Sequence, residues 1–168
     1  FNNTTQLNHN EEITMKSLLK ITLIVTFMLA GAISTAIAQR TIDIVGTDNM
    51  KFSVTSIEAE AGEQITIKLT TKSQIPKMAM AHNVVVIDSE ADVSAVAQAS
   101  MKAKDNDYIA PEYKDKIVAA TGLAGGGETV EVTFTVPEEP GEYEYICSFP
   151  GHFQAGMKGV LTVRGSAS

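Results

Sequence analysis

The 168 residues contain a single cysteine, Cys147. It opens the segment Cys147-Ser148-Phe149-Pro150-Gly151-His152-Phe153-Gln154-Ala155-Gly156-Met157, in which a thiol, an imidazole and a thioether recur at equal intervals. A second imidazole, His82, lies far upstream on another apolar segment, and the third histidine of the chain, His9, precedes Met15. Two imidazoles and a thiolate in a trigonal plane, with a long thioether contact on the axis, make up the blue-copper electron-transfer set. The thiolate and thioether hold Cu(I), the imidazoles suit both oxidation states, and one geometry acceptable to both keeps reorganisation small. Taken singly, a cysteine at a strand end is usually a small buried hydrophobe, and a histidine on a strand a hydrogen-bonded core residue. Taken together, the only cysteine and both histidines beyond residue 38 meet a methionine in one pattern. A free thiol without a function is also a liability in an oxidising compartment. A Cys–His nucleophile is the poorer reading, since no orienting residue is evident and His82 and Met157 are left unused.

Composition narrows the alternatives. Twenty acidic residues against 13 basic give a net charge of −7, which argues against nucleic-acid binding, a task that needs clustered Lys and Arg. One cysteine excludes an internal disulfide and any multi-cysteine zinc or iron–sulfur site. The length is that of one domain. Met15-Lys16 and Lys20 form a positive start, an apolar run follows from Ile21 to Ile37, and Ala36-Ile37-Ala38 supplies the small-x-small pattern of a signal-peptidase site. We therefore read 1–14 as a segment upstream of a start at Met15, 15–38 as a signal peptide, and 39–168 as the domain. Thr22, Thr26, Gly31, Ser34 and Thr35 interrupt the apolar run, and it falls short of the roughly 20 residues that a span requires. Cleavage after Ala38, export to the periplasm and no membrane span in the mature form are the expectations.

The elements that must position these donors read as strands. Thr41–Val45, Lys51–Ile57 and Gln64–Leu69 alternate polar and apolar residues, as half-buried strands do. His82–Ile87 is a continuous apolar run suited to an interior strand. Thr129–Val136 directs Val130, Val132, Phe134 and Val136 inward, Glu142–Cys147 puts Tyr143, Tyr145 and Cys147 on one face, and Met157–Val163 closes the chain. Ala61-Gly62-Glu63, Gly125-Gly126-Gly127 and Glu139-Pro140-Gly141 are the turns between them. Short strands so spaced predict an all-β, two-sheet sandwich. One stretch, Ala91–Lys104, has helical spacing at Val93, Val96, Ala97 and Met101, with Ser89 as its N-cap and Met101 in the core. The triple glycine lacks the lysine and the helix of a phosphate loop.

The runs Ile75-Pro76-Lys77-Met78-Ala79-Met80-Ala81-His82-Asn83, Cys147-Ser148-Phe149-Pro150-Gly151-His152 and Met157-Lys158-Gly159 resemble the azurin branch of the cupredoxins. The resemblance covers nearly all of residues 40–164, including the helical excursion and Asn106-Asp107-Tyr108. The four residues between cysteine and histidine are those of azurins, where plastocyanins have two. The four before the methionine match auracyanins, where azurins have three, and the cysteine pair of the azurin disulfide is missing. The resemblance implies a Greek-key sandwich and one type 1 copper ion. It also implies His82, Cys147 and His152 in the equatorial plane, Met157 on the axis and the Ala81 carbonyl opposite. The backbone N–H groups of Asn83 and Phe149 would donate to the sulfur, and the Asn83 side chain would tie the two ligand loops together. The implied function is that of a monomeric, non-enzymatic electron carrier. It would dock transiently near His152, whose outer ring edge would be exposed, with a cytochrome c, reductase, oxidase or photosynthetic complex. Phe149, Pro150, Phe153, Ala155, Met78 and Met80 would form an apolar collar, with Lys72, Lys77 and Lys158 at its rim. A copper-delivery or copper-buffering protein on the same fold is the alternative, which an exposed, exchangeable site would favour.

Overall fold

The computed structural model describes residues 40–165, so the expected upstream segment 1–14 and signal peptide 15–38 lie outside the described residues. Residues 40–165 carry nine strands and one α-helix: β1 (Arg40–Thr47), β2 (Lys51–Phe52), β3 (Ser56–Glu60), β4 (Gln64–Lys72), β5 (Val85–Ile87), α1 (Val93–Ser100), β6 (Ile117–Ala120), β7 (Thr129–Thr135), β8 (Gly141–Ile146) and β9 (Lys158–Arg164). They form the expected sandwich of two sheets, ordered β2-β1-β4-β7 and β3-β9-β8-β5-β6. Both sheets are mixed, because β1 runs parallel to β4 and β3 parallel to β9 while the other pairs are antiparallel.

The alternating strands bury one face each. Ile44 from β1, Ile65, Ile67 and Leu69 from β4, Tyr143 and Tyr145 from β8, and Leu161 and Val163 from β9 fill the space between the sheets. Val130, Val132 and Phe134 point inward as expected but are only half-buried, since β7 is an edge strand. The continuous apolar run before β6 has a different cause. Val84 and Val86 enter the main core, while Val85 and Ile87 join Ile146 beneath Val96 and Ala97 of α1. Successive side chains of a strand face opposite ways, so a strand covered on both faces is apolar throughout. The helical excursion is that second cover.

Several elements differ from the sequence reading. Lys51–Ile57 is not one strand: β2 belongs to one sheet and β3 to the other. Between them the Ser53 N–H donates to the Val45 carbonyl at 2.9 Å and the Val54 carbonyl accepts from the Tyr145 hydroxyl at 2.8 Å. Alternation is the same in both halves and no Gly or Pro marks the switch, so only these long-range bonds reveal it. The His82–Ile87 strand is regular only over Val85–Ile87, with His82 in an isolated bridge to Ala124. Strand β6 was not anticipated; its four residues are too few to display a period. The helix is shorter than predicted and its N-cap is Asp92, whose carboxylate accepts from the Ala95 N–H at 3.1 Å. Met101 is a half-buried cap residue at the other end rather than a core residue.

The cap assignment has a direct check. Asp92→Ala should lower stability to urea by about 1 kcal/mol, the usual worth of a carboxylate N-cap, whereas Ser89→Ala should leave the midpoint nearly unchanged.

Candidate metal centre

Cys147 follows the last residue of β8 and extends its ladder, donating its N–H to the Met157 carbonyl at 3.0 Å. The chain between them is a compact turn. The His152 N–H bonds to Phe149, the Ala155 N–H to Gly151, the Gly156 N–H to Phe153 and the Met157 N–H to His152, all at 2.8–3.0 Å. Gly151 and Gly156 take the left-handed backbone that this turn demands, with φ of +86° and +84°. On the other segment, His82 is clamped to Ala124 by two backbone bonds of 2.9 and 2.8 Å. The Ala124 carbonyl also accepts from the buried Thr71 hydroxyl at 3.0 Å.

These two segments bring the predicted donors to one point. His82 Nδ1 and His152 Nδ1 are 3.2 Å apart. Cys147 Sγ lies 3.3 Å from His152 Nδ1 and 3.8 Å from His82 Nδ1. Bonds of about 2.0–2.3 Å to imidazole and thiolate, arranged trigonally, place neighbouring donors roughly 3.5–3.8 Å apart. The triangle thus stands within a few tenths of an ångström of what a metal requires. All three residues are buried, and so is Met157. The Ala81 carbonyl faces the sulfur at 4.0 Å.

The electrostatics of the donor set point the same way. Burial pushes the Cys147 thiol up to about 12, against the opposing pull of the Asn83 and Phe149 backbone N–H groups. Those are the two donors that the resemblance implied. Burial, reinforced by the neighbouring His82, pushes His152 down to about 4. Burial also lowers His82, with Asp48 and the Thr47 carbonyl acting in the other direction. That carbonyl falls short of a well-formed hydrogen bond, so Nε2 of His82 is buried and unpaired, alone in this among the described residues. At neutral pH both rings are neutral and keep a lone pair, while the thiol keeps its proton until a cation displaces it. Buried nitrogen and sulfur donors without a carboxylate suit a soft transition ion and not a hard one.

Asn83 joins the segments, as the resemblance implied. Its Oδ1 accepts from the Ser148 N–H at 2.9 Å, and its Nδ2 donates to Ser148 Oγ at 2.8 Å and to the Asp107 carbonyl at 2.9 Å. Ser148 Oγ in turn donates to the Tyr108 carbonyl. Asp107 and Tyr108 both adopt the left-handed backbone, with φ of 52° and 58°, a conformation that is uncommon outside glycine.

Other supports were not anticipated. A Cβ on Gly46 would lie 2.7 Å from His82 Cδ2, so this glycine lets β1 close against the imidazole. An isolated glycine in a strand pattern was the available signal. The triple glycine also works by close approach: Cβ atoms on Gly125 and Gly126 would meet Lys77 Cβ at 2.7 Å and the Ser73 carbonyl at 2.3 Å. It packs under the segment leading to His82. The collar is only partly as expected. Met78 is 85% exposed, and Pro150 and Ala155 are exposed, but Phe149 is buried and Met80 and Phe153 are half-buried. His152 itself is 3% exposed, so far less of its ring reaches the surface than expected.

The depressed His152 predicts a pH dependence for the metal-free protein. Unfolding returns the ring from about 4 to its ordinary 6.5, so the unfolded chain binds more protons in that window. Stability is fully present above pH 6.5 and should fall as pH drops through about 4. Urea midpoints of metal-free protein should decline across that range, and His152→Ala should flatten part of the slope.

A family model described as copper-binding proteins of the plastocyanin/azurin family matches residues 38–164. An azurin of Alcaligenes faecalis is 42% identical over 124 residues, covering 71% of this chain and 94% of its own. An azurin of Pseudomonas aeruginosa is 37% identical over 131 residues, with coverages of 76% and 86%. Among solved structures, auracyanin A, a "blue" copper protein of Chloroflexus aurantiacus, superposes with a TM-score of 0.67 at 34% identity, covering 76% of this chain and all of its own. The chain belongs to the plastocyanin/azurin family of copper-binding proteins as an azurin- and auracyanin-like cupredoxin, and His82, Cys147, His152 and Met157 are arranged as its type 1 copper site.

Proposed function

We propose that this protein is an exported, monomeric carrier of single electrons between redox proteins. In this reading His82, Cys147 and His152 would hold the metal as its principal ligands, with Met157 and the Ala81 carbonyl as its weaker ones. Copper, when bound, supplies reversible one-electron chemistry between Cu(II) and Cu(I). The chain does the rest. Cys147 gives up its Sγ proton to bind as a thiolate, and the Asn83 and Phe149 N–H groups draw charge from the sulfur. His82 and His152 present Nδ1 as neutral rings. The core and the Asn83–Ser148 bonds keep these donors in place in either oxidation state.

The observation that carries this reading is the complete donor set in a site whose three planar residues are at most 3% exposed. Such burial disfavours the alternative of copper delivery, which needs an exchangeable site. Docking is supported by the surface near His152. Met78, Pro150 and Ala155 are exposed and uncharged, while Lys77 and Lys158 at the rim are paired with Glu128 at 2.7 Å and Glu144 at 2.8 Å. A face on which two of the three expected rim lysines are paired, Lys72 being exposed without an ion pair among the described residues, suits brief contacts with a cytochrome c, a reductase, an oxidase or a photosynthetic complex. Export is supported by the signal-like segment 15–38, whose expected end coincides with the start of the family match at residue 38, and the periplasm is the compartment we assign. No helix among the described residues is long and apolar enough to cross a membrane.

The ligand reading is tested by colour and potential. Copper-loaded protein should be intensely blue when oxidised, from thiolate-to-copper charge transfer. Cys147→Ser should lose the band even where copper remains bound; a persisting band would mean that the sulfur is not a ligand. Met157→Leu should raise the reduction potential and Met157→Gln should lower it. No change in either would remove the thioether from the axis.

The docking face is tested by electron self-exchange. Met78→Lys places a charge on a side chain of this face that is 85% exposed. At low ionic strength exchange should slow by about tenfold or more through like-charge repulsion, with the blue spectrum retained. An unchanged rate would put the exit elsewhere.

A further inference from the structure

Lys51, on the short strand β2, reaches 104 residues along the chain to the loop that ends at Met157. Its Nζ donates to the Ala155 carbonyl at 2.8 Å and to the Gly156 carbonyl at 3.3 Å. We propose that Lys51 is a positioning residue for the axial side of the copper centre: its ammonium caps this loop and fixes where Met157 enters the site. The proposal rests on the reading of Met157 as the axial donor.

The turn from Gly151 to Met157 is built like the end of a helix. Its N–H groups bond backwards within the turn, and Gly156 takes the left-handed conformation that commonly closes a helix. Such an end leaves its last carbonyls without partners inside the turn and carries a partial negative charge. A cation is the partner that answers both needs, and Lys51 supplies it. The glycine is part of the fit, because a Cβ on Gly156 would stand only 3.0 Å from Lys51 Nζ. The contact also crosses the sandwich. β2 lies in the four-stranded sheet, whereas Met157 leads directly into β9 of the other. A different side-chain bond of the loop, from Gln154 Nε2 to Met101 Sδ at 3.9 Å, leads instead to the helical excursion. Lys51 thus ties the two residues before the thioether to the opposite sheet.

Lys51→Met and Lys51→Arg separate this role from that of a passing surface charge. In metal-free protein, amide exchange at Gly156 and Met157 should quicken about fivefold in Lys51→Met, the order expected for losing one exposed charge-assisted bond, and return towards the parent rate in Lys51→Arg. In copper-loaded protein, Lys51→Met should shift the reduction potential and the relative intensities of the charge-transfer bands, with Lys51→Arg restoring both. These shifts should survive in about 1 M salt, where the screening length is roughly 3 Å. Unchanged amide exchange, or shifts that vanish in salt, would overturn the proposal, the second leaving Lys51 as a distant charge. The ligand reading fails separately: if Met157→Leu leaves the potential unaltered, the thioether is not axial, while amide exchange still decides whether Lys51 caps the loop.

Discussion

The Asn83–Ser148 pairing is the joint on which the metal centre depends. Donor atoms that would scatter in water must stand within bonding reach of one point before any ion arrives to hold them. A buried side-chain amide satisfied at both ends does this well: Asn83 Oδ1 accepts from the Ser148 N–H while Nδ2 serves Ser148 Oγ and the Asp107 carbonyl. In a low-dielectric interior, breaking one of these bonds would strand a polar group at a cost of about 1–3 kcal/mol. The loop bearing Cys147 and the segment bearing His82 are therefore fixed relative to each other by an interaction that contains no ligand. Asn83 also serves through its backbone, since its N–H and that of Phe149 act on the sulfur.

That joint extends into the helical excursion. Asp107 and Tyr108 turn their carbonyls to Asn83 and Ser148 from a left-handed backbone. Such a conformation costs of order 1–3 kcal/mol per residue and persists only where the surroundings over-determine it. Here the surroundings are the two carbonyl bonds and the edge-on packing of Tyr108 against Phe149, with ring centres 5.1 Å apart. Phe149 in turn lies 4.8 Å from the His152 ring. The helix and its following loop supply none of the three donors of the triangle, yet they cover the second face of β5 and brace the backbone beside two of them.

Burial makes the site both selective and rigid. Desolvation raises the thiol and lowers the imidazoles, so protons compete for the sulfur but hardly for the rings. A soft cation resolves this by replacing one proton, a trade that hard ions make poorly with sulfur. The same close packing that desolvates the donors leaves them little freedom to rearrange, as at Gly46, where β1 approaches His82 too closely for even a methyl group. A geometry that cannot relax towards either oxidation state's preference is the physical basis of fast electron exchange.

The sequence by itself determined the donor chemistry. One cysteine, two available histidines and a methionine at loop spacing admit few uses, and Cys147, His152 and Met157 are local enough for their proximity to be read directly. Period-two alternation located most strands for the same reason, since burying one face is a local demand on each strand. The resemblance to cupredoxins carried Ala81, Asn83 and Phe149. What only the tertiary structure decided were relations between distant segments that no period encodes. The break between β2 and β3 is such a relation, made by Val45 and Tyr145. So are β6, too short to show a pattern, the near-complete covering of His152, and the approach of Gly46 to His82. Lys51 reads as an ordinary polar strand residue until the fold sets its ammonium against Ala155 and Gly156. Residue types fix which atoms can bind a soft metal, but hydrogen bonds and close approaches between segments fix where those atoms stand, and these arise only when the chain closes on itself.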